Sequence, residues 1–236
     1  MTLIASLMSL ILFNADVSAK ISYLSGTVTI QRGGTTYSGA LGTQLAVNDV
    51  VATAARSACE IQFENYSLVR LAQNSSLKIE RKEKTSKGVF HRIFASLGQV
   101  VTKVTKLGKN DQYEVRTDVA QAYIRGTTFQ TTIEQNGESQ FQVYEGKLRV
   151  KSLLAGAKEV VVKQNFKGVF GKTKAAPIVA ELSELEVKGF KKELKEFLDR
   201  GAVLDNLRKR AGKEIDEGKE LINNKAKDLK KSCIFW

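Results

Sequence analysis

Val115–Phe129, with the sequence VRTDVAQAYIRGTTF, is the stretch that most clearly indicates the fold. Polar and apolar side chains alternate from Ala120 onward, and the alternation continues to Ile133. A period of two residues is typical of a β-strand, because successive side chains of a strand point to opposite faces of its sheet. The pattern predicts one long strand, and Gly126 inside it predicts a bulge or the close approach of another backbone segment.

The same alternation extends over residues 20 to about 172, interrupted by turn-forming residues. Gly33-Gly34 is a good two-residue hairpin turn, and Cys59 alternates with Ile61 and Phe63 as an inward-facing core residue. About a dozen short strands predict a mainly β protein, either an antiparallel β-sandwich or a β-roll, and the sequence leaves this choice open. Alternating strands and helices are missing from the pattern, which excludes a Rossmann-type fold. The predicted strands include Val89–Phe94, Gln99–Val104 and Lys147–Val150.

After Pro177 the pattern becomes helical. The apolar residues Leu182, Leu185, Phe190, Leu194, Phe197 and Leu198 recur at helical spacing, and Gly201 ends this first helix. A second helix is predicted from Leu204, Leu207, Ala211, Ile215, Ile222 and Leu229. We therefore predict a charged extension, residues 179–236, with two helices, the first of which packs on the β domain.

The N-terminus has the pattern of an export signal. Leu3–Phe13 is mostly apolar but too short for a membrane span, which needs roughly 20 residues. Small residues at Val17-Ser18-Ala19 suit cleavage after Ala19, so we predict a signal peptide at 1–19 and a β domain at 20–178. Later in the sequence no run is long and apolar enough for a transmembrane helix. Export permits disulfides, but the sequence leaves open whether Cys59 pairs with Cys233.

The net charge of +12 is concentrated in the β domain. Residues 20–178 carry 23 Lys and Arg against 12 Asp and Glu, whereas the extension carries 14 against 12. The possible contacts to an anionic surface are Lys78, Arg81, Lys82, Lys84, Lys87, Lys103, Lys106 and Lys109. The alternative is that these side chains only prevent edge-to-edge aggregation of strands. Nucleic acid is disfavoured as a partner, because export and the lack of interleaved aromatic residues argue against it.

Several segments resemble the FecR-domain family. Val115–Phe129 resembles the pattern v-x-T-P-x-A-x-A-x-V/I-R-G-T-x-F, with Asp118 in place of proline. Val143–Val150 is similar to V-x-E-G-x-V/L-x-V, and Leu45–Thr53 resembles L-x-x-G-D-x-I/V-x-T, with Asn48 in place of glycine. Ser57–Leu71 resembles the family's hairpin. The resemblance runs from about residue 21 to residue 162.

The resemblance implies an exported β scaffold. Its family-motif residues, which we interpret as structural, are Asp49, Arg125, Gly126, Thr127, Phe129, Glu145 and Gly146. FecR-type regulators join such a domain to a transmembrane helix and an anti-sigma segment. The sequence shows neither, so the resemblance implies a stand-alone exported relative.

The sequence gives little support for catalysis. Arg125 is expected to form a fold-fixing ion pair with Glu145 or Asp118, rather than to capture a ligand, and Glu145-Gly146 is expected to form a hairpin turn. His91 is the only histidine. Because the sequence has no cluster of His, Cys and carboxylate residues, we expect the protein to bind neither a metal nor a cofactor. A glycan-active enzyme using two of Glu60, Glu64 and Glu145 remains the enzymatic alternative.

The sequence therefore predicts a non-enzymatic FecR-like binding or scaffold module of the bacterial cell envelope. It would be exported to the periplasm or the cell surface, and its expected partner is an envelope protein or an anionic envelope polymer. The first alternative is an extracytoplasmic component of a cell-surface signalling system that includes a sigma regulator.

Overall fold

The computed structural model describes residues 17–64, 67–85, 88–104, 107, 110–154, 159–173 and 176–200, together with residues 213 and 220. The strands, in chain order, are β1 (Val17–Ser25), β2 (Val28–Arg32), β3 (Thr35–Ser38), β4 (Gln44–Ala46), β5 (Val50–Thr53), β6 (Ala58–Phe63), β7 (Leu68–Leu71), β8 (Ser76–Thr85), β9 (Gly88–Val104), β10 (Gln112–Arg116), β11 (Ala120–Ile124), β12 (Thr127–Ile133), β13 (Ser139–Glu145), β14 (Lys147–Ser152), β15 (Glu159–Lys163), β16 (Phe166–Phe170) and β17 (Ile178–Glu181). Helix α1 (Glu184–Glu193) follows, and residues 195–200 are also helical.

These strands form two sheets that share β9. Sheet I has the order β4-β1-β6-β7-β9-β12-β13-β16-β17. Sheet II has the order β3-β2-β5-β8-β9-β10-β11-β14-β15. Neighbouring strands are antiparallel except β9 and β10, which are parallel. The predicted mainly β fold class is confirmed. The chain passes repeatedly from one sheet to the other, and the fold is therefore a two-layered roll.

The main hydrophobic core lies between the two sheets. Ile61 and Leu71 of sheet I and Val51 and Val150 of sheet II belong to one buried cluster. The period-two alternation of the sequence places every second side chain in this layer, away from water. Cys59 is in the same layer, as predicted, and its burial, assisted by the neighbouring Glu60 charge, raises the pKa of its thiol to about 12.

Two glycines determine where the predicted strands differ from the observed ones. The predicted strands 89–94 and 99–104 are a single strand, β9, which crosses from sheet II to sheet I at Gly98 with φ +80°. The prediction of one strand from Ala120 to Ile133 is wrong. The chain turns a corner at Arg125-Gly126, and β11 belongs to sheet II whereas β12 belongs to sheet I.

Helix α1 packs against the outer face of sheet I, as the apolar spacing predicted. A capping box begins the helix, in which the Ser183 side chain accepts from the Glu186 amide and the Glu186 carboxylate accepts from the Ser183 amide. Phe190 stacks on Tyr144 with ring centroids 3.4 Å apart. The second buried cluster consists of Leu68, Val101, Tyr144, Leu182, Phe190 and Phe197.

Several predictions at the ends of the chain lie outside the described residues. Of the second predicted helix, only Lys213 and Glu220 are described, and both are helical. Cys233 lies outside as well. The predicted cleavage site after Ala19 falls within β1, and the predicted domain boundary at residue 178 falls at the start of β17.

Candidate functional site

The two glycines of the family motifs lie against each other at the corners of the roll. The chain passes from sheet II to sheet I at Gly126 (φ +76°) and returns at Gly146 (φ +82°). A Cβ atom on Gly146 would lie 2.7 Å from the carbonyl oxygen of Gly126. The expectation of a hairpin at Glu145-Gly146 is therefore wrong, because β13 and β14 lie in different sheets. Only glycine fits this close approach of two backbone segments.

The neighbouring motif residues fix the same corner. The Thr127 hydroxyl donates to the Lys147 carbonyl oxygen at 2.9 Å. The Thr128 hydroxyl donates to the Glu145 carboxylate at 3.0 Å. Phe129 is fully buried in the main core. These contacts give Gly126, Thr127, Phe129, Glu145 and Gly146 positions at or next to the corner.

Asp49 belongs to a second structural motif, in the turn between β4 and β5. Its buried carboxylate accepts a hydrogen bond from the Ala46 amide at 2.8 Å and two from Arg32, at 2.7 and 2.5 Å. Asn48 has φ +76°, which explains why the related pattern has glycine there and why asparagine is tolerated.

A concave groove lies on the outer face of sheet II, on the side away from the core. It crosses β8, β9, β10, β11 and β14 and has a volume of about 1110 Å³. The charged residues that line it are Arg81, Glu83, Arg92, Asp111, Glu114, Arg125, Lys147 and Arg149. Phe90 and Tyr123 contribute aromatic rings, and Asn110 and Gln112 contribute amides.

The floor of the groove is an ordered ion pair. The Glu114 carboxylate accepts from Arg92 at 2.7 Å and from the Gln121 amide at 2.8 Å. The Phe90 ring lies near two guanidinium groups, with the Arg92 carbon 5.2 Å and the Arg81 carbon 5.5 Å from the ring centroid. At this range a guanidinium is attracted to the ring, which orders both arginines.

The wall formed by β11 and β14 carries more exposed cations. The Arg149 side chain is 62% exposed, and its guanidinium lies 5.6 Å from the Tyr123 centroid. The Glu159 carboxylate lies 3.8 Å from this guanidinium, a distance at which an exposed ion pair contributes little. Arg125 is exposed at the corner and lines the same wall. The expectation that Arg125 lies inside a strand is therefore wrong.

The residues predicted to contact an anionic surface do not share one face. Arg81 lines the groove, and Lys78 lies on β8 of sheet II. Lys82 is only 5% exposed and forms an ion pair with Glu64 at 3.0 Å, and Lys84 is exposed near the end of β8. Lys103 belongs to the part of β9 in sheet I. Lys87, Lys106 and Lys109 lie outside the described residues.

A buried carboxylate on the outer face of sheet I was not identified from the sequence as a structural centre. Glu60 is fully buried and accepts from Arg70 at 2.7 Å and from Arg200 at 2.9 and 2.6 Å. Both guanidinium groups also lie within 6 Å of the Tyr23 ring centroid. The hydrogen bonds to Glu60 raise the pKa of Arg200 above its ordinary value. This cluster fastens the helical segment to the sheet.

Two of the three carboxylates considered for catalysis, Glu60 and Glu145, lie on separate parts of the roll. Glu60 is on β6 and Glu145 ends β13, with three strands of sheet I between them. That separation is roughly 19 Å at the usual strand spacing, whereas glycosidase carboxylates lie about 5–9.5 Å apart. His91 is buried against the Phe63 and Tyr113 rings. Within the described ranges, no three His, Cys, Asp or Glu side chains form a group that could hold a metal ion.

Residues 49–149 match the model of a protein family described as FecR protein. The matched region, which is similar to a FecR domain, makes up less than half of the chain. It extends from β5 to β14 and contains the corner, the floor of the groove and both of its walls. Among the helical residues described by the structure, none forms a segment long and apolar enough to span a membrane.

Two crystal structures of a candidate anti-sigma factor from Parabacteroides distasonis ATCC 8503 are similar to this chain, each with 14% sequence identity. The first has a TM-score of 0.49 and covers 60% of this chain and 63% of its own. The second has a TM-score of 0.48 and covers 59% and 62%, respectively. The similarity thus spans less than two thirds of either solved chain. A comparison with curated proteins finds no match.

Proposed function

We propose that this chain is an exported, non-enzymatic binding module that acts in cell-surface signalling at the bacterial envelope. The observation that carries the proposal is the division of labour within the FecR-like region. Gly126, Thr127 and Gly146 of the motifs are engaged in backbone and side-chain contacts at the corner of the roll, whereas Arg125 of the same motif is exposed and lines the groove. The groove on sheet II is a concave surface that a partner could occupy.

The chemistry of the groove supports binding rather than turnover. Its carboxylates are engaged by neighbouring groups, as Glu114 is by Arg92 and Gln121. A general acid or base needs a titratable group within reach of a reacting atom and with a suitable pKa. The arrangement favours recognition through ordered guanidinium groups, which bind planar anions with two parallel hydrogen bonds.

The proposed export can be tested by substitutions in the apolar segment before β1. Replacing Leu10 by Arg places a charge in Leu3–Phe13 and should retain the chain in the cytoplasm. The control, Ser9→Ala, keeps the segment apolar and should be exported like the wild type. Cell fractionation with N-terminal sequencing of the envelope form measures both. A wild-type chain found only in the cytoplasm would contradict the proposal.

The signalling part of the proposal is tested by cross-linking in intact cells, followed by purification of the full chain from the envelope fraction. We expect a membrane-associated sigma regulator or its receptor to be cross-linked to the wild-type chain. Cross-links confined to cytoplasmic proteins would argue against a role at the envelope. A hydrolytic activity of the purified chain on envelope glycans would contradict the non-enzymatic assignment, and its loss in Glu60→Gln or Glu145→Gln would attribute it to those carboxylates.

A further inference from the structure

We propose that the groove on sheet II binds a segment of an extended anionic glycan, a polysaccharide that carries carboxylate or phosphate groups. The inference rests on the proposed envelope function and names the ligand class for this groove. Five of its lining residues are cationic, namely Arg81, Arg92, Arg125, Lys147 and Arg149. Three are acidic, namely Glu83, Asp111 and Glu114. The surplus of positive charge therefore lies within a concave surface, where it attracts anions most strongly.

The charges are arranged by depth. Glu114 is 7% exposed and Arg92 is 21% exposed, so the floor is a nearly neutral pair. Arg149 is 62% exposed, and Lys147 and Arg125 are exposed beside it on the same wall. An anionic ligand therefore meets the wall cations first and is kept from the Glu114 carboxylate by Arg92. This order allows binding without breaking the buried pair.

The shape of the groove favours a polymer over a membrane surface. The groove crosses five neighbouring strands, which corresponds to roughly 19 Å from β8 to β14. A planar lipid surface contacts a flat or convex face, whereas a chain-like ligand fills a concave one. The groove is therefore long enough for several sugar residues in a row.

The polar groups of the groove favour a glycan over an acidic peptide. Asn110 and Gln112 supply amides, and the Glu83 carboxylate, which is 49% exposed, accepts hydrogen bonds from the Arg81 guanidinium. Amides and carboxylates together donate to and accept from hydroxyl groups, which sugars carry at high density.

The test is the affinity of the full chain for defined polymers, measured by titration calorimetry at low salt. Polygalacturonate provides carboxylates, poly(glycerol phosphate) provides phosphates, and dextran is neutral. We expect at least one anionic polymer to bind, dextran not to bind, and the affinity to fall as salt is raised. The stronger of the two anionic polymers identifies the charged group. Binding of dextran with equal affinity, or of neither anionic polymer, would overturn the proposal.

Variants on β14 locate the site. The double variant Lys147→Glu, Arg149→Glu should weaken binding by about tenfold or more, because charge-assisted hydrogen bonds are replaced by repulsion. Lys151→Glu is the matched control, since Lys151 is exposed on the same strand but does not line the groove. The milder Arg149→Gln should give a smaller loss in the same direction, and unchanged melting temperatures verify folding. An equal loss for Lys151→Glu would reject a defined site.

Two further measurements distinguish glycan binding from lipid binding and from the proposed function. Vesicles containing phosphatidylglycerol should bind more weakly than the preferred polymer, and stronger vesicle binding that depends on Arg149 would assign the groove to lipid instead. If the groove variants lose no polymer affinity while export and envelope cross-linking persist, the glycan inference fails and the proposed function stands. Loss of export would remove the proposed function itself.

Discussion

At the scale of single residues, the family motif is explained by backbone geometry. Asn48 and Gly126 both have positive φ, and Gly146 meets the Gly126 carbonyl oxygen at a distance that excludes any side chain. These positions were singled out from the sequence because the motif contains them. The contact between the two glycines was not predictable, since they are 20 residues apart in the sequence and join different pairs of strands.

Substitution of Gly146 tests the corner. Gly146→Ala should lower the free energy of unfolding by about 3 kcal/mol, because the residue has φ +82° and its Cβ would meet backbone atoms. Gly34→Ala is the control, with φ +84° but nothing within 4 Å of its Cβ, and should cost only about 1 kcal/mol. Urea unfolding measures both, and equal losses would contradict the close-approach explanation.

Neutralising Glu60 tests the buried ion cluster. Glu60→Gln should lower the free energy of unfolding by about 2 kcal/mol, because Arg70 and Arg200 lose the charge that both of them bind. Glu196→Gln removes another Arg200 partner, 3.7 Å away and 86% exposed, and should cost less than about 0.5 kcal/mol. Chemical denaturation of the two variants distinguishes them. A loss for Glu196→Gln as large as that for Glu60→Gln would show that burial is not decisive.

At the scale of elements, helix α1 is held to sheet I by one apolar stripe. Phe190→Ala removes the ring that stacks on Tyr144 and should cost about 3 kcal/mol. Leu185→Ala alters a side chain that is 81% exposed, so its effect should stay within about 0.5 kcal/mol. Hydrogen exchange over α1 provides the direct readout. Unchanged protection of α1 in Phe190→Ala would contradict the docking.

The first turn of α1 makes the free energy of unfolding depend on pH, with a sign that the structure predicts. Hydrogen bonds from the Lys167 ammonium and from Ser183 lower the pKa of Glu186 from 4.5 to about 2. A lowered pKa in the folded state stabilises the fold above pH 4.5, and this stabilisation is lost as the pH falls from 4.5 towards 2. Because the pair is accessible to solvent, the contribution should stay below about 1 kcal/mol.

Comparison of Glu186→Gln with the wild type isolates this contribution. The difference in unfolding free energy should be present at pH 5.5 and should shrink at pH 2.5. Lys167→Met, which removes the main cause of the shift, should reduce the pH dependence of the wild-type glutamate. A difference that grows on acidification would reverse the assigned sign.

At the scale of the whole molecule, the fold class could be predicted because the alternation of polar and apolar side chains is a property of the local sequence. The inward position of Cys59, the hairpin at Gly33-Gly34 and the docking of the first helix followed from the same local patterns. The points at which the chain crosses from one sheet to the other did not follow from local patterns. Gly98 lies inside a continuous strand whereas Gly126 lies in the bend between two strands, and only the tertiary neighbours of each glycine make that difference.

The candidate site was accessible from the sequence only in part. Arg81 and Arg125 were named for different reasons, but Lys147 and Arg149 join them only because β11 pairs with β14. The Glu60 cluster depends on a contact between residues 140 positions apart. Long-range pairing of this kind leaves no periodic signal, so neither surface could be assembled before the topology was known.

The most direct test of the account is an arginine footprint of the full chain, made with phenylglyoxal and read by mass spectrometry, with and without the preferred anionic polymer. The account predicts that Arg149, Arg125 and Arg81 lose reactivity when the polymer is present, while Arg56, which is exposed but does not line the groove, stays reactive. Equal protection of Arg56 and Arg149, or no protection of either, would contradict the assignment of the groove as the binding surface.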